Sequence, residues 1–226
     1  MAGQEFLIEP VVSQPFGQNS YVAWLADRDD ALVVDPGFEP NLIVEVLERE
    51  GKRVGAILLT HGHADHIAGN QAIKEYAPDA PIVIGRNEAA LLTNPKLNLS
   101  ASYGLPLTSP PADLLLDDGQ RVVLAGFNFL VKEIPGHSPG SIVLIADQFE
   151  PPFAFVGDVL FAGSVGRTDF PGGSSEKLIQ GIRKHLLSLP DATLVLSGHG
   201  PATTIGTEKR SNPFVGEHSG RVGLGW

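Results

Sequence analysis

The chain contains no cysteine. Disulfides, thiolate zinc sites, cysteine nucleophiles and iron–sulfur clusters are therefore excluded. Basic charge is also scarce: 16 Lys and Arg stand against 26 Asp and Glu, for a formal net charge of −10. That balance argues against unspecific binding to nucleic acid or to an anionic membrane. It does not exclude an anionic small substrate, because a metal ion or one arginine overrides the global sign locally. No apolar run approaches the roughly 18 residues of a membrane span. The opening MAGQEFLIEP has neither the basic nor the apolar region of a secretory signal, so the expected location is cytoplasmic. What remains is a chain of 226 residues, 42% hydrophobic and 19% charged. That suits one globular domain with a sizeable core. Oligomeric state is not legible.

Hydrophobic patterning predicts strands over Phe6–Val12, Ser20–Ala26 and Ala31–Asp35, then a helix over Asn41–Glu50 ended by Gly51. Val54–Thr60 is a nearly continuous apolar run, as in a strand buried on both faces. A helix over Asp65–Tyr76, a strand over Pro81–Ile84 and a short helix over Asn87–Leu92 follow. Asn94–Ala112 reads as a loop long enough to be a candidate substrate wall. Strands resume at Arg121–Leu124, Phe127–Ile134, Ser141–Ala146 and Phe153–Val156. A helix over Ser174–Leu187, a strand over Thr193–Ser197 and a Gly-rich, loose tail from Gly216 to Trp226 complete the pattern. The mixture fits one large mixed sheet or two packed sheets with helices outside.

Chemistry concentrates in Thr60-His61-Gly62-His63-Ala64-Asp65-His66, with three imidazoles and one carboxylate between positions 61 and 66. The run follows a buried strand and opens a helix, where ligands gather in α/β sheets. Extended backbone sets His61 and His63 on one side, able to grip one ion. Asp65 falls in a first helical turn, where a carboxylate is favoured. Three more candidates each follow a strand and a glycine: His137 after Gly136, Asp158 after Gly157 and His199 after Gly198. Seven nitrogen and oxygen donors exceed one tetrahedral zinc. They suit two ions sharing a carboxylate and a hydroxide, a site that makes a nucleophile from water at neutral pH. Without thiolates the plausible ions are Zn, Fe or Mn. Asp35 either orients a ligand histidine or starts the turn before Pro36. His185 and His218 read as solvated.

These residues resemble the metallo-β-lactamase superfamily over nearly the whole chain, with Val33-Val34-Asp35-Pro36-Gly37 similar to its early Asp strand and Gly136–Ser141 to its second histidine loop. The resemblance implies an α/β fold, a four-layer αββα sandwich of two mixed β-sheets, with residues 1–226 as one domain and the site at one edge of both sheets. Gly157–Phe161, Gly166–Pro171, Gly198–Pro201 and Thr204–Phe214 further resemble the glyoxalase II group, the hydroxyacylglutathione hydrolases. The chain ends about where the C-terminal helical domain of the longer enzymes begins, so the likeness is to the short members. It would assign His61, His63 and His137 to one metal and Asp65, His66 and His199 to a second, with Asp158 bridging. Asp65 and Asp158 would be the catalytic carboxylates, two divalent ions (zinc first) the cofactors, and a hydroxide between them the attacker of a thioester such as S-lactoylglutathione. Arg167 stands where longer enzymes place a cation for the glutathione moiety; its other reading is a turn arginine paired with Asp169.

A second resemblance, including Gly166–Phe170, is to iron persulfide dioxygenases of the same fold. One iron would then take His61, His137 and Asp158, a two-His-one-carboxylate set open to oxygen. Gly198-His199-Gly200-Pro201 and the complete second ligand set favour the hydrolase. A purely structural metal site needs only four ligands. Acidity and the absence of a basic run argue against RNA as substrate, absence of cysteine against class B1 or B2 lactamases, and lactones stay open.

Overall fold

The computed structural model describes residues 5–219. Two six-stranded mixed sheets face each other. The first has the order β1 (Phe6–Ser13), β2 (Gln18–Leu25), β3 (Asp30–Val34), β4 (Arg53–Leu59), β5 (Ile82–Gly85) and β6 (Leu114–Leu116). The second runs β14 (Thr203–Thr204), β13 (Leu194–Ser197), β10 (Phe153–Gly157), β9 (Ile142–Ala146), β8 (Phe127–Glu133) and β7 (Arg121–Leu124). A small ribbon pairs β11 (Leu160–Phe161) with β12 (Ser164–Val165).

Period-2 alternation builds three hydrophobic layers from these strands. On β2, Tyr21, Ala23 and Leu25 point between the sheets, where they meet Phe129, Phe153 and Phe155 of the other sheet. Val22 and Trp24, on the opposite face of β2, pack in a second cluster with Ile43 and Leu47 of α1 (Pro40–Arg49) and Ile73 of α3 (Asn70–Tyr76). Ala154 and Val156 of β10 likewise face Leu178 of α5 (Ser175–Gly181) and Ile205 of α6 (Ile205–Ser211). Each sheet is thus buried on both faces, which explains the continuous apolar runs. The layers are helix, sheet, sheet, helix, as the family resemblance implied.

Several element boundaries differ from expectation. The helix expected over Asp65–Tyr76 is two, α2 (Ala64–Ile67) and α3, separated at Gly69. There the Gly69 N–H donates to Pro36 O at 2.8 Å. A side chain on Gly69 would collide with Gly37 O, so the turn is set by close backbone docking. The helix expected over Ser174–Leu187 is α5, capped by Ser174 accepting from Lys177 N at 3.3 Å, then a wide π turn over Ile182–Leu186. The long loop contains a 3-10 turn at Ser100–Tyr103. β6, β14 and α6 went unforeseen: each strand is three residues or fewer, and α6 begins inside a Gly- and Thr-rich stretch. Residues 220–226 of the expected loose tail lie outside the described residues, whereas Glu217 N donates to Lys209 O at 2.8 Å and Gly216 is buried. No described helix is long and apolar enough to cross a membrane.

Candidate metal centre

Seven expected donors converge where strands of both sheets end. β4 delivers His61, His63, and, through α2, Asp65 and His66. From the second sheet, the β8–β9 loop carries His137, and the ends of β10 and β13 carry Asp158 and His199. Glycine is obligatory at two of these ends. Gly157 has φ +48 and leaves room for Thr60; a side chain on Gly198 would collide with Asp158 and His66. The sheets are sewn together here by Ile142 N donating to Thr60 O (2.9 Å), Asn19 N to Gly198 O (2.7 Å) and the Tyr21 hydroxyl to Ser197 O (2.6 Å).

Two donor sets emerge, each with ligand atoms within 4.8 Å of one another: His61, His63 and His137, and Asp65, His66 and His199. Asp158 lies between them, Oδ2 being 3.5 Å from His137 Nε2 and 3.6 Å from His199 Nε2, and Oδ1 3.4 Å from His66 Nε2. His199 Nε2 is 3.2 Å from Asp65 Oδ2. A third geometric set, Asp35, His61 and His66, also forms. Its carboxylate is already spent: Asp35 accepts from Thr60 N (2.7 Å), Thr60 Oγ1 (2.6 Å) and His66 Nδ1 (3.0 Å). Asp35 therefore sits behind the site rather than in it. Its turn is real as well, for Asp35 has φ +47.

Outer hydrogen bonds decide which ring nitrogen is free. His137 Nδ1 lies 2.9 Å from the Arg167 carbonyl, which only accepts, so Nδ1 carries hydrogen and Nε2 is bare. His66 Nδ1 donates to Asp35 and turns Nε2 toward Asp158. His63 Nδ1 approaches bare His137 Nε2 to 3.0 Å, an approach that needs a proton or cation between them. His61 Nε2, His66 Nε2 and Asp158 Oδ1 are buried without any hydrogen-bond partner. Orphaned polar atoms this deep are costly. Three of them aimed at one space, all good donors to a divalent cation, fit metal ions and little else.

Burial, with neighbouring rings, pushes His61 well below its ordinary value and His63 down to about 3, so both are neutral at pH 7. His66 is equally buried, yet the carboxylates of Asp65 and Asp158 outweigh burial and hold it well above the usual range. Asp158 resists its burial and is held well below the ordinary carboxylate range by His66, His137 and His199.

A cavity of about 390 Å³ opens onto this centre. Arg167 stands on its rim, exposed, paired with Asp169 at 2.7 and 2.6 Å and stacked 4.3 Å over Phe170. Arg167 thus lines the cavity and is a paired turn arginine. His185 is only half-buried and His218 is exposed, away from the centre.

Glu88 was not foreseen. This fully buried carboxylate accepts from Gly62 N (2.8 Å) with Oε2, and from Ser138 Oγ (2.8 Å) and Gly140 N (2.6 Å) with Oε1. It ties the His61–His63 loop to the His137 loop. Burial pushes its carboxyl up, against the three donors. A lone Glu in Arg86-Asn87-Glu88 carries no sequence signal for this.

The chain matches the family model for the metallo-beta-lactamase superfamily over residues 13–199. It is 39% identical over 215 residues to hydroxyacylglutathione hydrolase GloC of Haemophilus influenzae, covering 94% of this chain and 99% of that protein. The BLEG-1 B3 metallo-beta-lactamase structure superposes with a TM-score of 0.87 at 38% identity, over 92% of this chain and 99% of that one. TTHA1623 in a di-iron-bound form gives 0.80 at 36% identity, over 91% and 99%. ETHE1 from Myxococcus xanthus gives 0.77 at 26% identity, over 92% and 84%.

Proposed function

The chain belongs to the metallo-beta-lactamase superfamily, and on that premise we propose that it is a metal-dependent hydrolase of thioesters, S-lactoylglutathione being the model substrate. The observation that carries this is the trio of orphaned buried atoms, His61 Nε2, His66 Nε2 and Asp158 Oδ1. His61, His63 and His137 would hold one divalent ion, and Asp65, His66 and His199 a second, with Asp158 shared. When bound, such ions supply Lewis acidity toward a carbonyl and lower the pKa of water.

The chain's own residues do the rest. Asp35 and the Arg167 carbonyl hold the His66 and His137 rings in the one tautomer that leaves Nε2 free. Glu88 keeps the two histidine loops in register. Asp65 lines the cavity, and the carboxylate oxygen it does not give to an ion would accept the proton that a water gives up on attacking the carbonyl. A thiolate is a good leaving group and needs no general acid. Arg167 would meet a substrate carboxylate only by exchanging Asp169 for it.

Similarity to GloC supports the thioester reading. Zinc and iron both suit these donors, and the similarity to a di-iron form keeps iron in play. The iron dioxygenase reading would leave Asp65, His66 and His199 without a role, although they form a full donor set. Loss of S-lactoylglutathione thioester absorbance on metal-loaded protein, abolished by chelator, is the expected result. Metal-loaded, folded protein with no turnover but with oxygen uptake on a persulfide would replace the hydrolase with the oxygenase.

A further inference from the structure

The cavity wall opposite the candidate metal centre comes from the long loop, and it is apolar. Leu99, Tyr103 and Leu105 line the cavity beside Phe16 and Phe38. Phe16 lies 5.6 Å from Phe38 and 5.9 Å from Tyr103, ring centroid to centroid, so three segments distant in sequence form one aromatic rim. The rim is wet: Phe16 is 43%, Tyr103 57% and Leu105 63% exposed. An exposed apolar cluster at a chemical centre marks a surface kept for a ligand.

Leu99 makes the case sharper. The 3-10 turn Ser100–Tyr103 has left-handed backbone at both ends, Gly104 at φ +73 and Leu99 at φ +71, ψ −7. Glycine accepts that conformation freely, whereas leucine is strained in it. The buried Asn98 enforces it, donating to Leu91 O (3.1 Å) and Leu107 O (3.0 Å) and accepting from Ser100 N (3.0 Å). Asn98 O also accepts from Ala64 N at 3.0 Å, which fixes this loop to the metal-ligand run. Strain is therefore held at a position whose side chain lines the cavity. Charge points the same way. Among the described residues Arg167 is the only lysine or arginine on the cavity wall, and Asp169 already neutralises it. A tripeptide rich in carboxylates finds little to hold it.

We propose that this wall is a subsite for an apolar group adjoining the scissile bond, so that the preferred substrates are thioesters bearing an aliphatic or aromatic group of about hexyl size, with Leu99 a specificity-determining residue. The proposal rests on the thioesterase reading for its substrate, but not for its binding test. S-hexyl- and S-methyl-N-acetylcysteamine, thioethers that cannot be hydrolysed, are titrated into metal-loaded protein by calorimetry. The hexyl compound should bind at least about tenfold more tightly. Leu99→Gly should shrink that ratio to about threefold or less without lowering Tm, because glycine relieves the strained backbone. Tyr103→Ala, at an exposed position, repeats the test if Leu99→Gly does not fold. Equal affinities for the two thioethers, or an unchanged ratio in both variants, would overturn the proposal. Kinetics then separate the sides of the bond: hexanoyl-N-acetylcysteamine outrunning its acetyl analogue places the group on the acyl side, and acetyl hexanethiol outrunning it places the group on the thiol side. A hexyl preference with no thioester cleaved would sustain the subsite while removing the thioesterase reading.

Discussion

Glu88→Gln is the least intrusive way to ask whether one buried carboxylate organises the centre. The wild-type carboxylate receives three donors and faces no cation: Gly62 N on one oxygen, Ser138 Oγ and Gly140 N on the other. An amide has one accepting oxygen. In either orientation its NH₂ must face an N–H or an O–H, leaving at least one buried donor unpaired. That costs about 1–3 kcal/mol. Glu88→Ala strands all three donors and should cost roughly 3–5 kcal/mol. The two loops held apart in the Gln variant carry His61 and His63 on one side and His137 on the other, so the first ion should bind about 10–100-fold more weakly. Urea unfolding of metal-free protein reads the first quantity, as a lower midpoint at unchanged slope. Zinc competition against a chelator reads the second. A control variant destabilised to the same degree far away, such as Leu186→Ala in the outer core, should keep wild-type zinc affinity. Gln and wild type matching in both stability and affinity would refute the role.

Four further outcomes follow from the same geometry. Asp35→Asn leaves one uncharged accepting oxygen for Thr60 N, Thr60 Oγ1 and His66 Nδ1, so the second ion should be lost about 10–100-fold more readily while the first is retained, by metal content after dialysis. Asp158→Ala should abolish turnover and weaken both ions together; two tightly held ions in that variant would exclude a shared carboxylate. Arg167 holds the exposed Asp169 carboxyl at about 2, so the pair is intact above the ordinary carboxylate range and is lost only as pH falls through about 2. Across pH 5–8 Arg167 should thus stay neutralised, and KM for an anionic glutathione thioester should show no titration from this pair. Asp169→Asn should lower that KM by freeing the guanidinium.

The sequence made the candidate donor set legible because its first four members lie between positions 61 and 66 and the other three each follow a strand and a glycine. The sandwich followed from the family resemblance, whereas apolar runs such as Val54–Thr60 marked buried strands and fitted one sheet or two. The supporting residues were opaque for a physical reason. Glu88 acts on Gly62 and Gly140 across 26 and 52 positions, and Asn98 acts on the backbone of a loop whose path no local pattern fixes. The break at Gly69 reflects docking against Gly37, a tertiary contact that overrides helical periodicity. Asp35 was ambiguous as a turn residue because it is one, with its side chain also reaching Thr60 and His66.

On the proposed reading, seven donors form a two-ion centre that hydrolyses thioesters. The decisive measurement is stepwise addition of zinc to metal-free protein, with the initial rate of S-lactoylglutathione or hexanoyl-N-acetylcysteamine hydrolysis recorded at each step. The rate should climb to a plateau at two equivalents. Two tightly bound equivalents with no hydrolysis of either thioester would contradict it.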